Sequence, residues 1–276
     1  MGSSMAGHLL GAGYNLNVYN RTRGKADALT ERGAVWRDSP GEVAASSDIV
    51  ITIVGYPEDV EEVYLGSGGI MERAKPGALL MDMTTSSPVL ARRIHEAARA
   101  RGLAVLDAPV TGGDRGAREA TLSILVGGDE LDFERALPIL QVMGRNIVRF
   151  GPAGSGQTAK LANQIIIAGG MLGVCEGLAF ANRSGIDAGE LLECVSKGAA
   201  ESWSLSNYGP RILSGDFAPG FFVKHFIKDM KLAGEAASEA GMSLEGLAAA
   251  LRQYEKLAGD GGAENGTQGL YELYDN

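Results

Sequence analysis

From residue 17 to about residue 150 the chain alternates short, β-branched apolar runs with longer stretches of helical periodicity. That alternation predicts a parallel sheet covered by helices. The runs at 48–54, 78–83, 104–107, 122–126 and 146–149 are apolar throughout, so each is read as a strand buried on both faces. Residues 39–45, 57–63 and 88–101 read as helices. Ser39-Pro40 and Ser87-Pro88 open two of them: a serine hydroxyl can accept from the free first-turn N–H groups, and proline presets the backbone.

After Gly151-Pro152-Ala153-Gly154-Ser155-Gly156 the pattern changes. Residues 157–184 read as one long apolar helix, and no convincing strand follows. Glycine and proline breaks at Gly185, Gly198, Gly209-Pro210, Pro219-Gly220 and Gly241 divide the remainder into further helices. The expected architecture is therefore α/β: a doubly wound domain over 1–152, then an all-helical domain over 153–276 joined to it by the long helix. The polar segment 259–266 is expected to be a mobile loop before a last short helix.

Gly2 leads directly into a helix, followed by a turn at 11–14 and a strand ending at Val18-Tyr19-Asn20-Arg21. This resembles half of a Rossmann βαβ unit, in which a strand and a Gly-x-Gly turn would precede the helix and Gly2 would be the third glycine. The first strand of the sheet is thus expected to be absent. The end of the following strand is where such units read the adenosine ribose. Asn20, Arg21, Thr22 and Arg23 offer donors and positive charge suited to a 2′-phosphate, which favours NADP over NAD; the same residues also suit a solvated turn.

Composition narrows the classes. Of 276 residues, 45% are hydrophobic and 21% charged, ordinary for a folded globular chain. The net charge of -9 opposes nonspecific attraction to nucleic acid or anionic lipid, so any phosphate binding must be local. No apolar run is read as approaching the roughly 20 residues of a membrane span, and a cytoplasmic protein is expected. Cys175 and Cys194 are read as buried free thiols, and His8, His95 and His225 lack metal-ligand spacing, so no metal is expected.

Two segments suit a ligand. Asp107-Ala108-Pro109-Val110-Thr111-Gly112-Gly113 ends a buried strand, where open α/β sheets place ligands. Its glycines permit close main-chain approach and Thr111 adds a donor, so a carboxylate fits; a tight strand-to-loop turn explains the residues equally well. On the long helix, Lys160, Asn163 and Gln164 are spaced three and four apart and share one face. A lysine among Ala, Leu and Ile would be desolvated, which favours its neutral form and suits proton exchange; a lysine snorkelling to solvent is the alternative.

Taken together, Gly2 with its helix, Asp82-Met83-Thr84-Thr85-Ser86-Ser87-Pro88, the 107–113 loop, the Lys160 helix, and Pro219-Gly220-Phe221 leading to Lys228-Asp229 resemble the β-hydroxyacid dehydrogenase family, of the 3-hydroxyisobutyrate dehydrogenase and tartronate semialdehyde reductase type. The resemblance implies reversible hydride transfer between NADP(H), or NAD(H), and a short 3-hydroxy acid or semialdehyde. It implies that Val54, Gly55, Thr85 and Lys228 touch the cofactor, that Thr111, Gly112 and Gly113 bind the substrate carboxylate, and that Lys160 is the catalytic acid or base. Gln164 stands where the family often has asparagine and is expected to share an orienting role with Asn163. A homodimer or homotetramer is implied as well. Glyoxylate, succinic semialdehyde and tartronate semialdehyde are alternative substrates, and a noncatalytic binding scaffold is the rival from another class.

Overall fold

The computed structural model describes residues 1–275. It divides into two compact units, residues 1–160 and 161–275. In the first, the elements run α1 (Gly2–Gly11), β1 (Asn17–Val18), α2 (Asp27–Thr30), β2 (Val35–Trp36), α3 (Pro40–Ser46), β3 (Ile49–Thr52), α4 (Pro57–Leu65), α5 (Ile70–Arg73), β4 (Leu79–Asp82), α6 (Pro88–Arg99), β5 (Ala104–Asp107), β6 (Val110–Thr111), α7 (Gly113–Arg118), β7 (Leu122–Gly127), α8 (Glu130–Met143) and β8 (Gly144–Gly151).

The two-sided burial read from the sequence has a direct counterpart. Alternate residues of a strand point to opposite faces. Leu79 and Met81 join one core with Met5, Leu9, Leu106, Ile124 and Leu140, while Leu80 joins the other with Val50, Tyr64, Leu90, Ile94 and Val105. Both serine caps form: Ser39 accepts from the N–H of Glu42, and Ser87 from those of Val89 and Leu90. The buried residues of α6, Leu90, Ile94 and Ala98, recur every four positions and lay one apolar stripe on the sheet.

The sheet departs from the expected all-parallel arrangement. Its order is β3-β4-β5-β7-β6, with β8 beside β7. β3, β4 and β5 are parallel, as are β7 and β8, but β7 runs antiparallel to β5 and β6. A parallel return needs a crossover of roughly a dozen residues or more. The six-residue α7 and its flanking turns reverse the chain instead.

β1 and β2 form a separate two-stranded parallel sheet. Among the described residues β1 pairs with β2 alone and β3 with β4 alone. Side chains bridge what main-chain pairing does not: Leu16, Ile49, Ile51 and Ile53 pack on the core that contains Met5 and Leu9.

The second unit is helical, with the greater part of α9 (Ser155–Arg183), then α10 (Ala188–Val195), α11 (Trp203–Leu213), α12 (Val223–Glu239) and α13 (Glu245–Gly259). Leu161, Met171, Cys175 and Leu178 of α9 share a core with Phe226, Met230, Leu247 and Tyr254. The Phe226 and Tyr254 rings meet edge to face at 5.1 Å, and Tyr254 donates its hydroxyl proton to the carbonyl of Thr267.

Three expectations are corrected here. Cys175 is buried but Cys194 is exposed, because it lies on the outward side of the short α10. α9 is 29 residues long and contains an 18-residue stretch with a mean hydropathy of 1.6, so by length and composition alone it is long and apolar enough to cross a membrane. The segment 259–266 is built into the fold: residues 262–264 form a 3-10 turn, Gly262 is buried, and Lys224 pairs with Glu264 at 2.6 Å. Phe222 and Gly266 also form a β-bridge.

Candidate active site

In the first unit, Thr52, Asp82 and Asp107 end three parallel strands in register, Thr52 opposite Asp82 and Asp82 opposite Asp107. Asp82 Oδ1 accepts from the Thr52 hydroxyl at 2.8 Å and from the N–H of Thr84 at 3.2 Å. The Thr84 hydroxyl oxygen in turn accepts from the N–H of Val54 at 2.9 Å. The loop after β3, which carries Val54 and Gly55, is thereby tied to the loop after β4, which carries Thr85.

Asp107 fixes the next piece. Its two carboxylate oxygens accept from the N–H groups of Gly154 and Gln157, each at 2.8 Å. These groups have no partner inside the helix, so a buried carboxylate there both satisfies donors and complements the helix dipole. The fully buried Gln157 side chain accepts from the N–H of Ser86 and donates to the carbonyl of Thr84, both at 2.8 Å. A Cβ on Gly156 would lie 2.5 Å from the carbonyl oxygens of Asp107 and Leu125, so glycine alone allows this approach. The start of α9 is thus stitched to the ends of β4 and β5. Lys160 follows one turn later and is 6% exposed.

The substrate loop predicted from sequence is a turn in which Gly112 has φ 122° and Gly113 φ 63°, a conformation that disfavours any side chain, with Thr111 half-buried beside it. At the cofactor end, Gly2 opens α1 against the end of β3, where an added Cβ would lie 2.7 Å from Ile53 Cγ2. In the 20–23 turn Asn20 is half-buried and residues 21–23 are exposed. Asn20 donates to the carbonyl of Thr22, Arg21 pairs with Asp59 at 3.3 Å while its side chain stays 86% exposed, and Arg23 lies over the Trp36 ring.

In the second unit the expected residues Asn163, Gln164 and Lys228 come together around Asp229. Asn163 Nδ2 donates to Gln164 Oε1 at 2.7 Å, and Gln164 Nε2 donates to Asp229 Oδ2 at 2.7 Å. Lys228 Nζ lies 2.8 Å from Asp229 Oδ1, which takes no other hydrogen bond among the described residues. Gln164 and Asp229 are each 1% exposed. Sequence reading did not assign functional roles to Asp82, Asp107, Gln157 and Asp229. Their signal was available: a carboxylate closing an apolar strand, or a polar residue on an otherwise apolar helix face, must find donors when buried. Among the described residues no cluster of His, Cys, Asp or Glu is arranged to hold a metal.

A parallel α/β core with its polar loops at the carboxyl ends of the strands, a helix opening beside the first of them and a buried lysine beyond define a dinucleotide-dependent oxidoreductase. Residues 1–151 match the NAD binding domain of 6-phosphogluconate dehydrogenase, and residues 154–274 match the NAD-binding domain of NADP-dependent 3-hydroxyisobutyrate dehydrogenase. The chain belongs to the β-hydroxyacid dehydrogenase family. It is 52% identical over 274 residues to an uncharacterised oxidoreductase of Bacillus subtilis, covering 99% of this chain and 95% of that one. It is 48% identical over 272 residues to the probable mitochondrial 3-hydroxyisobutyrate dehydrogenase-like 1 of Arabidopsis thaliana, covering 98% and 81%. The solved structure of Mycobacterium tuberculosis 3-hydroxyisobutyrate dehydrogenase with L-serine superposes with a TM-score of 0.92 at 30% identity, covering 100% of this chain and 96% of that one.

The cofactor of this family is NAD(P), and the first unit fits it. Gly2 opens α1 without a Cβ, close against Ile53, and the first turn of a helix presents N–H groups with no partner inside the helix, the donors that a pyrophosphate takes.

Burial pushes the Asp82 carboxyl up from 3.8 to about 6, against the hydrogen bonds from Thr84 and Thr52, and burial raises Asp107 as well. The folded state therefore holds protons that the unfolded state releases. Stability contributed in this way is full below about pH 4 and is lost as pH rises to about 6. Asp82→Asn keeps an acceptor for Thr52 and Thr84 without the buried charge. It is expected to flatten the pH dependence of the urea midpoint between pH 4 and 6. Parallel pH profiles for parent and variant would overturn the assignment.

Proposed function

We propose that the chain is an NADP-linked oxidoreductase that interconverts a short 3-hydroxy acid of the 3-hydroxyisobutyrate kind and its semialdehyde, with Lys160 exchanging the proton on the reacting oxygen. The observation that carries this reading is the placement of Lys160: a lysine held at 6% exposure one turn beyond a helix start anchored by Asp107 and Gln157. Burying an ammonium is costly, and a proton exchanger is a use for which that cost has a purpose. The bound nicotinamide supplies the hydride acceptor or donor.

Each remaining residue has a role in this reading. Thr111, Gly112 and Gly113 hold the substrate carboxylate on their glycine-permitted turn. Asn163 and Gln164 orient the substrate, and Lys228 contributes positive charge toward the cofactor. Gly2, Val54, Gly55 and Thr85 line the dinucleotide, while Asn20, Arg21 and Thr22 meet the adenosine ribose. The exposed Arg21 guanidinium favours a 2′-phosphate, hence NADP. The protein is read as a cytoplasmic homodimer or homotetramer. The L-serine in the mycobacterial structure is itself a 3-hydroxy acid and supports the substrate class.

Lys160→Ala is expected to lower kcat by roughly 10²- to 10⁴-fold while leaving NADPH affinity, followed by nicotinamide fluorescence, unchanged. Full turnover or lost NADPH binding in that variant would refute the role of Lys160. Arg21→Asp is expected to weaken NADPH binding by about 10- to 100-fold with little effect on NADH, the loss of a charge-assisted contact to phosphate. Unaltered cofactor selectivity in the same titration would remove Arg21 from the ribose site.

A further inference from the structure

The Ser86 hydroxyl has no hydrogen-bond partner among the described residues, although Ser86 is only 2% exposed. A buried hydroxyl in that state carries a desolvation cost that nothing offsets, so it calls for a guest. Beside it, within the first unit, lies a cavity of about 10 Å³. Ser86, Asp82 and Asp107 supply its polar lining, and apolar side chains of α4, α6 and β5, Leu90 and Ile94 among them, close the rest. The Thr52 hydroxyl and the Thr84 N–H both donate to Asp82 Oδ1, which leaves Asp82 Oδ2 able to accept. Burial raises the Asp82 carboxyl to about 6, and the negative charge of Asp107 adds to the rise, so the two carboxylates lie within electrostatic reach of each other.

The size and chemistry of the lining specify the guest. One water fits in roughly 10 Å³ and needs about two to four polar partners. A guest here must take a proton from a hydroxyl and give protons to carboxylates, and water does both. A cation such as calcium would instead take about six to eight oxygens. Both Asp107 oxygens already accept from N–H groups, as Asp82 Oδ1 does, so only Asp82 Oδ2 and Ser86 Oγ remain without a donor.

We infer that this cavity is a built site for one internal water, which accepts the Ser86 hydroxyl proton, donates to Asp82 Oδ2 and turns its second proton toward Asp107. The water joins the ends of β4 and β5 to the residue ahead of the α6 cap. Gln157 holds the N–H of that same Ser86 at 2.8 Å. The water therefore completes the polar junction on which the loop carrying Thr85 and the first turn of α9 rest.

A high-resolution crystal structure of the whole chain tests the site directly. The expected result is one ordered solvent peak at about 2.5–3.0 Å from both Ser86 Oγ and an Asp82 oxygen. A cavity without a peak overturns the inference, and so does a peak contacting about six oxygens at roughly 2.4 Å, which would make the guest a cation. A second measurement reads the state of the hydroxyl from a sign. Ser86→Ala, if it removes a hydroxyl that holds water, lowers the urea midpoint by roughly 0.2–0.5 M, whereas loss of an unpartnered hydroxyl raises it. A lowered midpoint is the expected result, and a midpoint that rises or stays in place overturns the inference. Neither experiment reads turnover, so failure here leaves the proposed function standing.

Discussion

The carboxylate of Asp107 is the point on which the arrangement of the first unit turns. It closes a buried strand, so it lies where water cannot solvate it, and it must take its hydrogen bonds from protein. The donors are the N–H groups of Gly154 and Gln157, which a helix start leaves without partners. Each solves the other's problem. Burial still raises the carboxyl above its ordinary range, so desolvation outweighs the hydrogen bonds gained. Its gain is geometric: the first turn of α9, and with it Lys160, has a fixed place relative to the loops that end β4 and β5. Gln157 adds a second fixing by bonding Ser86 and Thr84 with one amide.

Glycine is what lets these pieces meet. Gly127 and Gly156 stand where an added Cβ would lie 2.6 Å from an Asp107 carboxylate oxygen and 2.5 Å from its carbonyl oxygen, respectively. The close approach shortens the path from sheet to helix until main-chain donors reach a side chain on the neighbouring strand.

Much of this was legible in the sequence because it depends on local pattern. The strand ending at Asp107, the helices opened by Ser39-Pro40 and Ser87-Pro88, and the long helix through Lys160 follow from apolar runs, caps and glycine punctuation. The direction of β7 was not legible. Apolar runs look the same parallel or antiparallel, and the decision lies in the length of the connection, where a six-residue helix between β6 and β7 is too short for a crossover. The 259–266 segment was misread because polar composition was taken for mobility, whereas Lys224–Glu264 and the bridge from Phe222 to Gly266 hold it. Lys160, Asn163, Gln164 and Lys228 could be picked out from spacing and resemblance. Asp229 and Gln157 act through partners 65 and 71 residues away in the chain, a relation that no local pattern encodes.

The separation of β1 and β2 from the six-stranded sheet has a dynamic consequence. A strand zipped into a sheet can leave only by breaking its ladder, but the piece formed by α1, β1 and β2 is held to the remainder of its unit by side chains: apolar ones such as Met5, Leu9 and Leu16, and the hydrogen bonds of His8 and Asn17. Such a piece can open as a cooperative block of its own, at a free energy below that of global unfolding. Its amides would exchange with solvent hydrogen before those of β4 and β5.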